Sequence, residues 1–386
     1  MTSSLTPLIN SNWAGSAERV GGPELTPMTV RVQAFEIIRT WLFYTVVKSD
    51  QHMDALPWRD VMISGWGLNE QGKKISKRDL ENFTSTDGYN RYEPYAVIKK
   101  YGADALRYWA AGSQLGNDTR YNERDIKAGR KLVLKLWNAA RFVLMQLEGF
   151  DPAAPRPDFA ERTPADRWLL SELQGVLPTV HKGFGGYNYA VAREATDRFF
   201  WGTYTDNYLE MVKDRFWNPE RYDESERVSA RATLWESLRA VLALYAPFLP
   251  FVTEELFQQI FAPHEDAVSL HVTPIPHADP AQAAAEPEME TVLAILRAVR
   301  GLRTDNRISQ GKQLGAVTLN ADAASPALRD TLPGLLGTLQ SVLRCGAIGF
   351  GPVDVGDALG AATELAGVTV AMELLPDDAA PEPEQV

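Results

Sequence analysis

Cysteine is nearly absent from this sequence. Cys345 is the only one among 386 residues, which excludes an internal disulfide and a zinc site built from several cysteines. No apolar run of about 18 residues occurs, which argues against a membrane-spanning helix. The opening residues MTSSLTPLINSNW show neither the basic start nor the apolar centre of a secretory signal. These absences predict a cytoplasmic protein with no membrane partner.

Signature motifs of nucleotide and metal sites are also missing. The sequence contains no Gly-rich P-loop and no dinucleotide-binding fingerprint. The histidines lack the spacing of metal ligands or of a catalytic triad. We therefore assign no metal site to them; they are His52, His181, His264, His271 and His277.

Positive charge is scarce overall but concentrated in one region. The formal net charge is −11, and residues 279–386 alone contribute −8 of it. Between Arg120 and Arg141, in contrast, seven basic residues stand against two acidic ones. The local field decides whether a polyanion binds, so the acidic total does not exclude RNA.

Hydrophobic periodicity predicts a chain that is mixed but predominantly α-helical. We expect helices over Met28–Lys48 and Tyr95–Gly112, with a short buried strand in Asp60–Trp66 between them. Past residue 122 the pattern is mostly helical, with long helices at 130–148 and at about 164–182, 188–215 and 225–262. A Pro/Ala-rich linker near 274–287 leads to a small α/β unit and a polar tail.

The helix predicted over Arg130–Glu148 has two different faces. Its apolar stripe comprises Val133, Leu136, Trp137, Ala140, Leu144 and Leu147. At about 100° per residue, four basic residues fall on roughly the opposite side: Lys127, Lys131, Lys135 and Arg141. Such a helix is typical of a solvated surface, and it also suits the binding of RNA phosphates.

A basic loop follows the predicted strand. The stretch GKKISKRDLENF, Gly72–Phe83, places Lys74, Ser76 and Lys77 within four residues. Lysine ammonium groups are compact charges that suit phosphate oxygens, and a serine hydroxyl adds a donor. Such a loop can stabilise the charge that develops on a leaving pyrophosphate. A charged surface loop is the simpler interpretation of these residues taken alone.

Five segments, in order, resemble the C-terminal half of a class I aminoacyl-tRNA synthetase: RVQAFEIIRTWLFYT, ISGW with GKKISKRD, YGADALRYWAA, GRKLVLKLWNAARFVL and FFWGTYTDNYLEMVKDRFW. Among enzymes for aliphatic amino acids, TSSLTP and KLWNAARFVL are most similar to the valyl branch. The resemblance runs from about Thr2 to about Lys312. It implies the second half of a Rossmann-like catalytic domain, an α-helical anticodon-binding bundle and a small C-terminal α/β unit.

The resemblance also implies domain boundaries. We expect catalytic-domain sequence over residues 1–122, including the KISKR loop and a connecting fold. The helical anticodon-binding domain is expected over 123–278, and a helix with a small α/β unit over 279–375. The composition of residues 376–386 predicts a disordered tail.

Site roles follow from the resemblance residue by residue. Lys74 and Lys77 match the two lysines of the Lys-Met-Ser-Lys-Ser signature, which stabilise the pyrophosphate leaving ATP, and Ser76 lies between them. Glu36 stands where the family holds the ribose of the adenylate. Gly65 stands where the family's backbone passes the adenine, and Trp41 matches an aromatic residue of the amino-acid pocket. An exposed carboxylate and a core tryptophan are the structural alternatives for Glu36 and Trp41.

The implied substrates are valine, ATP with Mg²⁺ and tRNA(Val), and no DNA partner is implied. The four basic residues Lys127, Lys131, Lys135 and Arg141 would then contact tRNA phosphates. Two further sets are ambiguous. Trp201, Tyr204, Tyr208, Phe216 and Trp217 either stack on anticodon bases or form core, and core is the commoner role at helical spacing. Arg297, Arg300, Arg303 and Arg307 either contact tRNA or bridge to neighbouring carboxylates.

Departures from the family pattern limit the implied function. Ile75 replaces Met, Arg78 replaces the final Ser, and Asp79–Asn82 replaces the usual Lys-Gly-Asn. The family's His-x-Gly-His signature and its editing domain are absent from these 386 residues. We therefore expect the C-terminal portion of a valyl synthetase that is split, truncated or incompletely read, and that is inactive alone. A separate N-terminal half is one candidate partner. A non-catalytic tRNA-binding paralogue and an isoleucyl-type fragment are the alternatives.

Overall fold

The computed structural model describes residues 2–10, 27–76, 88–354 and 359–375. Most of these residues are helical, and short strands form small sheets. The chain divides into two compact units, each assembled from three separate stretches. The first unit comprises Met1–Ala140, Thr179–Thr196 and Leu242–Ile275; the second comprises Arg141–Pro178, Asp197–Val241 and Pro276–Val386.

A two-stranded parallel sheet lies near the start of the first unit. Strand β1 (Met28–Ala34) pairs with β2 (Trp58–Ser64), in a register that sets Met28 beside Trp58 and Ala34 beside Ser64. The short helix α1 (Thr6–Asn10) precedes β1. Helix α2 (Phe43–Met53) connects the two strands, as parallel pairing requires a crossover.

The helix predicted from Met28 is wrong over its first half. Residues Met28–Ala34 are strand, Phe35–Ile37 form a 3₁₀ turn and Ile38–Leu42 a π-helical turn, so that regular helix begins only at Phe43. The strand alternates Met28, Val30 and Val32 with polar residues, a period of two that favours β-structure. The strand predicted over Asp60–Trp66 is confirmed, shifted by two residues.

A second small sheet pairs β3 (Gly67–Leu68) with β4 (Thr119–Arg120), again in parallel. Helices α3 (Pro94–Tyr101) and α4 (Ala103–Ala110) lie between them in sequence. Gly102, at φ 92°, separates two helices where the sequence predicted one. Their inner sides contribute to a buried cluster, hereafter the tyrosine cluster, which comprises Tyr92, Val97, Tyr101, Ala105, Tyr121 and Ile126.

Helix α5 (Glu123–Gln146) confirms the helix predicted over 130–148 but corrects its buried face. Leu136, Ala140 and Leu147 are buried as expected, whereas Trp137 is 38% and Leu144 41% exposed. Leu132, Ala139 and Val143 complete the buried side instead. Apolar residues occur on more than one side of this helix, so that periodicity alone placed the stripe incorrectly.

Five further segments continue the helical region: α6 (Pro164–Gly185), α7 (Tyr189–Arg198), a π-helix over Phe199–Tyr208, α8 (Leu209–Trp217) and α9 (Glu224–Tyr245). Helix α10 (Pro250–Ile260) follows α9 after a break at Pro247. The buried Asp104 carboxylate of α4 accepts hydrogen bonds from the backbone N–H groups of Phe251 and Val252, at 3.2 and 2.8 Å. It thereby caps the first turn of α10.

One buried carboxylate organises the helices of the second unit. Asp166, on α6, is completely buried. It accepts hydrogen bonds from Tyr208, Arg215, Thr163 and Ser229 at 2.7, 2.8, 2.8 and 2.5 Å. These donors come from three stretches of chain, because Tyr208 and Arg215 lie on one continuous helix, so a single side chain ties the three together. Tyr208, which the sequence offered as an anticodon-stacking candidate, is therefore core.

The C-terminal part of the second unit is a small α/β fold, as predicted. Its elements are α11 (Pro287–Asp305), β5 (Leu314–Asn320), α12 (Pro326–Leu343), β6 (Cys345–Phe350), β7 (Gly360–Ala362) and β8 (Thr369–Leu374). The sheet order is β6-β5-β8-β7, with β5 parallel to β6 and antiparallel to β8. The parallel pair uses α12 as its crossover.

Candidate active site

The candidate site lies at the carboxyl ends of β1 and β2. Because the two strands are parallel and Ala34 pairs with Ser64, the residues that follow them, Glu36 and Gly65, emerge at the same edge. Open parallel sheets bind ligands at this edge, beyond the carboxyl ends of their strands. Two segments about 30 residues apart are thus brought together where the sequence placed a nucleotide.

A hydrogen-bonded turn presents Lys74 to this edge. The Asn69 side-chain oxygen accepts from the backbone N–H groups of Gln71 and Lys73, at 3.0 and 2.9 Å. Gly72 occupies the turn at φ 78°, a conformation that favours glycine. The backbone of Lys74 then forms an isolated antiparallel β-bridge with Leu68, which fixes it beside β3.

Ile75 anchors the same turn to the interior. Its backbone N–H donates to the carbonyl of Gly67 at 3.0 Å, and its side chain packs against the tyrosine cluster. An aliphatic side chain at this position therefore holds the flanking Lys74 and Ser76 in place. The change from Met to Ile retains this apolar contact.

Lys74 and Glu36 contact each other directly. The Lys74 Nζ lies 2.9 Å from the Glu36 Oε1 and 4.6 Å from the centre of the Trp66 ring. Trp66 in turn contacts Phe35, with ring centres 4.7 Å apart. The hydrogen bond from Lys74 lowers the pKa of the Glu36 carboxyl below its ordinary value. The site therefore holds a paired ammonium and carboxylate, both partly exposed, against an aromatic wall.

Gly65 is required by a close backbone approach. A Cβ at this residue would lie 2.2 Å from the carbonyl oxygen of Asn117, a distance that real Cβ atoms essentially never show. The backbone N–H of Trp66 donates to the Asp118 carboxylate at 2.7 Å, and the backbone N–H of Thr119 donates to the Trp66 carbonyl at 2.8 Å. Gly65 thus accommodates the backbone of Asn117, and its contact with adenine stays a prediction.

Trp41 is held by protein contacts. Its indole N–H donates to the Ser3 carbonyl at 2.8 Å, and its ring stacks on Trp58 with centres 5.8 Å apart. The Arg31 guanidinium lies 3.1 Å from the ring centre. Trp41 is only half-buried, so both the core interpretation and its place in an amino-acid pocket stay predictions.

The structure describes the loop only as far as Ser76. Ser76 is exposed and is the last residue described before the gap at 77–87. Lys77 and Arg78, to which the sequence assigned pyrophosphate contact and a departure from the family signature, lie outside the described residues. Their roles stay predictions.

The basic residues of α5 lie mostly in solvent. Lys127, Lys131 and Arg141 are exposed and Lys135 is half-buried. Lys127 also forms an ion pair of 4.0 Å with Glu123, one turn earlier. This exposure is compatible with the predicted phosphate contacts and equally with a solvated helix.

The arginines of α11 have structural partners. Arg297 pairs with Glu364, and Arg300 donates to Asn207 at 2.9 Å. Arg303 is 2% exposed and donates to the Leu343 carbonyl at 2.9 Å, at the C-terminal end of α12. The predicted bridge to a carboxylate is thus confirmed for Arg297, whereas Arg300 and Arg303 donate to amide and backbone oxygens.

The aromatic set of residues 201–217 also divides. Tyr204 and Tyr208 are fully buried, which confirms their core role. Trp217 is 62% exposed, with the Lys213 Nζ 5.6 Å from its ring centre. Of these three residues, only Trp217 is exposed enough to stack on an anticodon base, and this role stays a prediction.

Sequence reasoning assigned no side-chain role in the site to Phe35, Asn69 or Trp66, although all three shape it. Asn69 precedes a glycine by three residues, which is a recognisable turn signal. The ring contact between Phe35 and Trp66 joins two strand ends and had no local signal in the sequence.

Within the described ranges, no three His, Cys, Asp or Glu side chains come together as metal ligands. Across the same residues, no helix is both long enough and apolar enough to cross a membrane.

Comparison with known proteins gives two family matches. Residues 2–122 match "tRNA synthetases class I (I, L, M and V)", and residues 166–318 match "Anticodon-binding domain of tRNA ligase". The chain belongs to the class I tRNA synthetases. The first match contains the β1–β2 edge and Lys74, and the second contains most of the helices from α6 to α11.

Individual relatives of this synthetase chain are valine–tRNA ligases. It is 38% identical to that of Haloarcula marismortui over 82% of the chain, and 35% identical to that of Rickettsia akari over 80%. It is 39% identical to that of Thermobifida fusca over 84%. The chain spans only 33%, 38% and 35% of the length of these three relatives.

A solved structure shares the fold of this synthetase chain. It is the leucyl-tRNA synthetase of Agrobacterium radiobacter K84 in a ternary complex with tRNA and LeuAMS, matched with a TM-score of 0.52 at 17% identity. The match covers 78% of this chain and 38% of the other. At this identity the likeness establishes the fold alone. It confirms the predicted architecture of Rossmann-like sequence followed by a helical bundle.

Proposed function

We propose that this chain supplies the pyrophosphate-stabilising part of the active site and the tRNA-binding domain of a valine–tRNA ligase. One observation carries the proposal. The Lys74 ammonium and the Glu36 carboxylate meet at 2.9 Å, at the carboxyl ends of two parallel strands. The sequence assigned these two side chains to adjacent parts of ATP, its phosphates and its ribose.

The proposed reaction has two steps. The carboxylate of valine attacks the α-phosphorus of ATP, which forms valyl-adenylate and breaks the bond to pyrophosphate. A hydroxyl at the 3′ end of tRNA(Val) then attacks the carbonyl carbon, and AMP leaves. Mg²⁺ enters with ATP, as the counter-ion of its phosphates.

Lys74 and Glu36 act in the first step. Glu36 accepts hydrogen bonds from ribose hydroxyls, which places the nucleotide. Lys74 stabilises the negative charge that develops on the departing pyrophosphate, an interaction stronger in the transition state than in the ground state. The hydrogen-bonded turn and the Ile75 anchor hold the ammonium near its working position before ATP arrives.

ATP must replace an existing ion pair. Lys74 and Glu36 now satisfy each other, and their side chains are 48% and 32% exposed. Phosphate oxygens offer Lys74 more negative charge than one carboxylate does, and the ribose offers Glu36 two hydroxyl donors. We therefore expect the pair to separate when ATP binds.

The anticodon-binding family match supports a tRNA partner. The family match to an anticodon-binding domain covers residues 166–318. In the first unit, Lys127 and Lys131 add exposed positive charge on α5. Contacts of this kind position a nucleic acid without reading its sequence.

A further polypeptide segment is expected to cover the β1–β2 sheet. Parallel sheets are normally buried on both faces, yet Val32 on β1 is 55% exposed and Val61 on β2 is 37% exposed. The relatives are about three times as long as the matched region. We propose that the first half of the nucleotide-binding domain, carried by the same or a separate chain, covers these valines, which lie on opposite faces because Val32 pairs with Met62 and Val61 with Arg31.

The test is valine-dependent ATP–pyrophosphate exchange. We expect none from this chain alone, and activity after addition of an N-terminal half of a valine–tRNA ligase. In the complemented enzyme, Lys74→Ala should lower exchange by roughly 100- to 1,000-fold, as for loss of one transition-state donor. Lys73→Ala, which removes the same charge one residue earlier in the turn, is the matched control and should stay within about threefold.

Two outcomes would contradict this proposal. Exchange by the chain alone would remove the need for a complementing segment. Equal losses in the Lys73 and Lys74 variants would show that general charge, not the Lys74 position, matters.

A non-catalytic tRNA-binding module is the second candidate. Arg78 and Asp79–Asn82 depart from the family signature just after the loop lysines, which favours a relaxed active site. Tight tRNA binding, combined with no exchange in the complemented assay, would support the module over the ligase.

A further inference from the structure

A pocket of about 310 Å³ lies within the first unit, and its lining comes from α4, β4, α5 and α7. Its walls include Tyr108, Trp109, Arg120, Asp125, Ala128 and Arg193. None of these side chains belongs to the candidate active site. The volume falls at the lower end of the range for small-ligand sites, about 300–1,000 Å³, which suits a single small group.

Two guanidinium groups face this pocket. The Arg193 Nη1 donates to the Tyr108 carbonyl at 3.2 Å, and the Arg193 guanidinium lies 4.4 Å from the centre of the Tyr108 ring. Arg120, the last residue of β4, is exposed. Its Nη2 lies 3.2 Å from the position that a Cβ of Gly72 would occupy. Arg193 is therefore held by its own protein contacts, and Arg120 lies against the turn that carries Lys74.

Helix α5 brings further positive charge to the mouth of the pocket. Ala128 lines the pocket, and Arg124 and Lys131 stand four residues before it and three residues after it, on the same side of the helix. Both are exposed. Among the described lining residues Asp125 is the acidic one, and its carboxylate accepts from the Asn122 amide at 2.9 Å. The lining and the two flanking residues thus bring four cations and one carboxylate together, a balance that attracts an anion.

The chemistry of the cations favours phosphate, and their arrangement favours a chain of phosphates. The planar fork of a guanidinium group forms two parallel hydrogen bonds with phosphate oxygens. At 1.5 Å per residue, Arg124 and Lys131 are about 10 Å apart along α5. The positive surface therefore continues past the pocket on both sides of Ala128, which suits a polyanion better than a single free ion.

We infer that this pocket binds one backbone phosphate of the tRNA. Arg120 and Arg193 hold its oxygens by charge-assisted hydrogen bonds, and Arg124 and Lys131 contact the neighbouring phosphates of the strand. Contacts of this kind position an RNA without reading its bases. The inference rests on the proposed function, because it takes tRNA as the polyanion.

The experiment measures binding of fluorescently labelled tRNA(Val) to the full chain by anisotropy, over a series of KCl concentrations. Arg120→Gln should weaken binding roughly 10- to 100-fold, the range for loss of one hydrogen bond to a charged group. It should also lower the slope of log affinity against log salt by about one. Arg193→Gln should have the same two effects. Arg120→Lys keeps the charge and loses the fork, so we expect weaker binding with the wild-type slope.

Arg59→Gln is the matched control, because Arg59 is an exposed arginine of the same unit that lies on β2, outside the pocket. Its affinity and salt slope should stay at the wild-type values. The inference is overturned if tRNA binds and the Arg120 and Arg193 variants bind as tightly as the control, or if all three lose affinity equally. If Arg193→Gln fails to fold, the exposed Arg120 decides alone.

A separate titration with sodium phosphate tests the source of the ligand. If inorganic phosphate binds the wild-type chain but not Arg120→Gln, while the tRNA affinity of that variant is unchanged, the pocket takes a free anion and the inference is overturned. No tRNA binding by the wild-type chain would overturn the proposed tRNA partner as well.

Discussion

Replacing Asp166 by Asn should destabilise the second unit by about 3–5 kcal/mol, the range for breaking a buried ion pair. Asp166 has no exposed surface, and its partner Arg215 is 7% exposed. The variant leaves the guanidinium charge buried without a carboxylate. Water cannot compensate at this depth, so the full penalty should appear in the free energy of unfolding.

The hydrogen-bond pattern adds to this cost. One carboxylate oxygen of Asp166 accepts from Tyr208, and the other accepts from Arg215, Thr163 and Ser229. An asparagine offers one acceptor oxygen and one donor amide. If its oxygen faces Tyr208, its NH₂ faces the Arg215 guanidinium, which can only donate. In the reverse orientation its NH₂ faces Tyr208, whose hydroxyl must change from donor to acceptor.

The assay is urea unfolding followed by circular dichroism. With a slope of about 2 kcal/mol/M, a loss of 3–5 kcal/mol moves the midpoint of the second unit down by about 1.5–2.5 M. Arg221→Gln is the control, because Arg221 is 63% exposed and its ion pair with the Asp214 carboxylate is long, at 3.9 Å. Exposed pairs contribute about 0–1 kcal/mol, so its midpoint should move by less than about 0.5 M.

A double variant tests the mechanism. Asp166→Asn combined with Arg215→Gln removes both charges, so it should be less destabilised than the sum of the two single variants. A midpoint for Asp166→Asn within about 0.3 M of wild type would refute the reasoning. Strict additivity of the double variant would refute the pairing.

Two further predictions concern the first unit. Gly65→Ala should cost about 3 kcal/mol of unfolding free energy, because its Cβ would meet the rigid backbone of Asn117; an unchanged urea midpoint would contradict the close approach. Burial raises the pKa of the Asp104 carboxyl, despite two backbone hydrogen bonds and the nearby Arg107 and His271. The folded state therefore binds a proton at the Asp104 carboxyl more tightly than the unfolded state does. The stability that protonated Asp104 contributes is lost as the pH rises from the pKa of the unfolded state through the pKa of the folded state. Asp104→Asn should remove this loss, so its stability relative to wild type should rise as the pH rises above the ordinary pKa of an aspartate carboxyl, about 3.9; parallel pH profiles would contradict the assignment.

The sequence predicted the helical elements better than the first strand. The spacing of Phe35, Ile38, Leu42 and Val46 suggested one helix from Met28, although the preceding residues alternate with a period of two. Helical spacing beyond residue 35 obscured the alternation before it. A strand of seven residues is short, and its pairing with β2 depends on residues about 30 positions away.

The candidate site shows the same division. Lys74 and Glu36 were assigned from the resemblance to a family, yet no local pattern indicates that they lie 2.9 Å apart. Trp66 and Phe35 complete the site through a contact between two strand ends. Gly65 was expected to admit a ligand, whereas the space beside it is taken by the backbone of Asn117. Long-range approach of this kind is set by tertiary packing, which composition and periodicity do not encode.

The discontinuous first unit has a consequence for synthesis on the ribosome. Its three stretches end at Ala140, Thr196 and Ile275, so its core cannot close until the last of them has emerged. At about 5–20 residues per second, roughly 7–27 s separate the synthesis of residue 140 from that of residue 275. During this interval Asp104 lacks the helix that it caps. The nascent chain therefore carries unpacked helices of the first unit during this interval, when chaperone binding would protect it most.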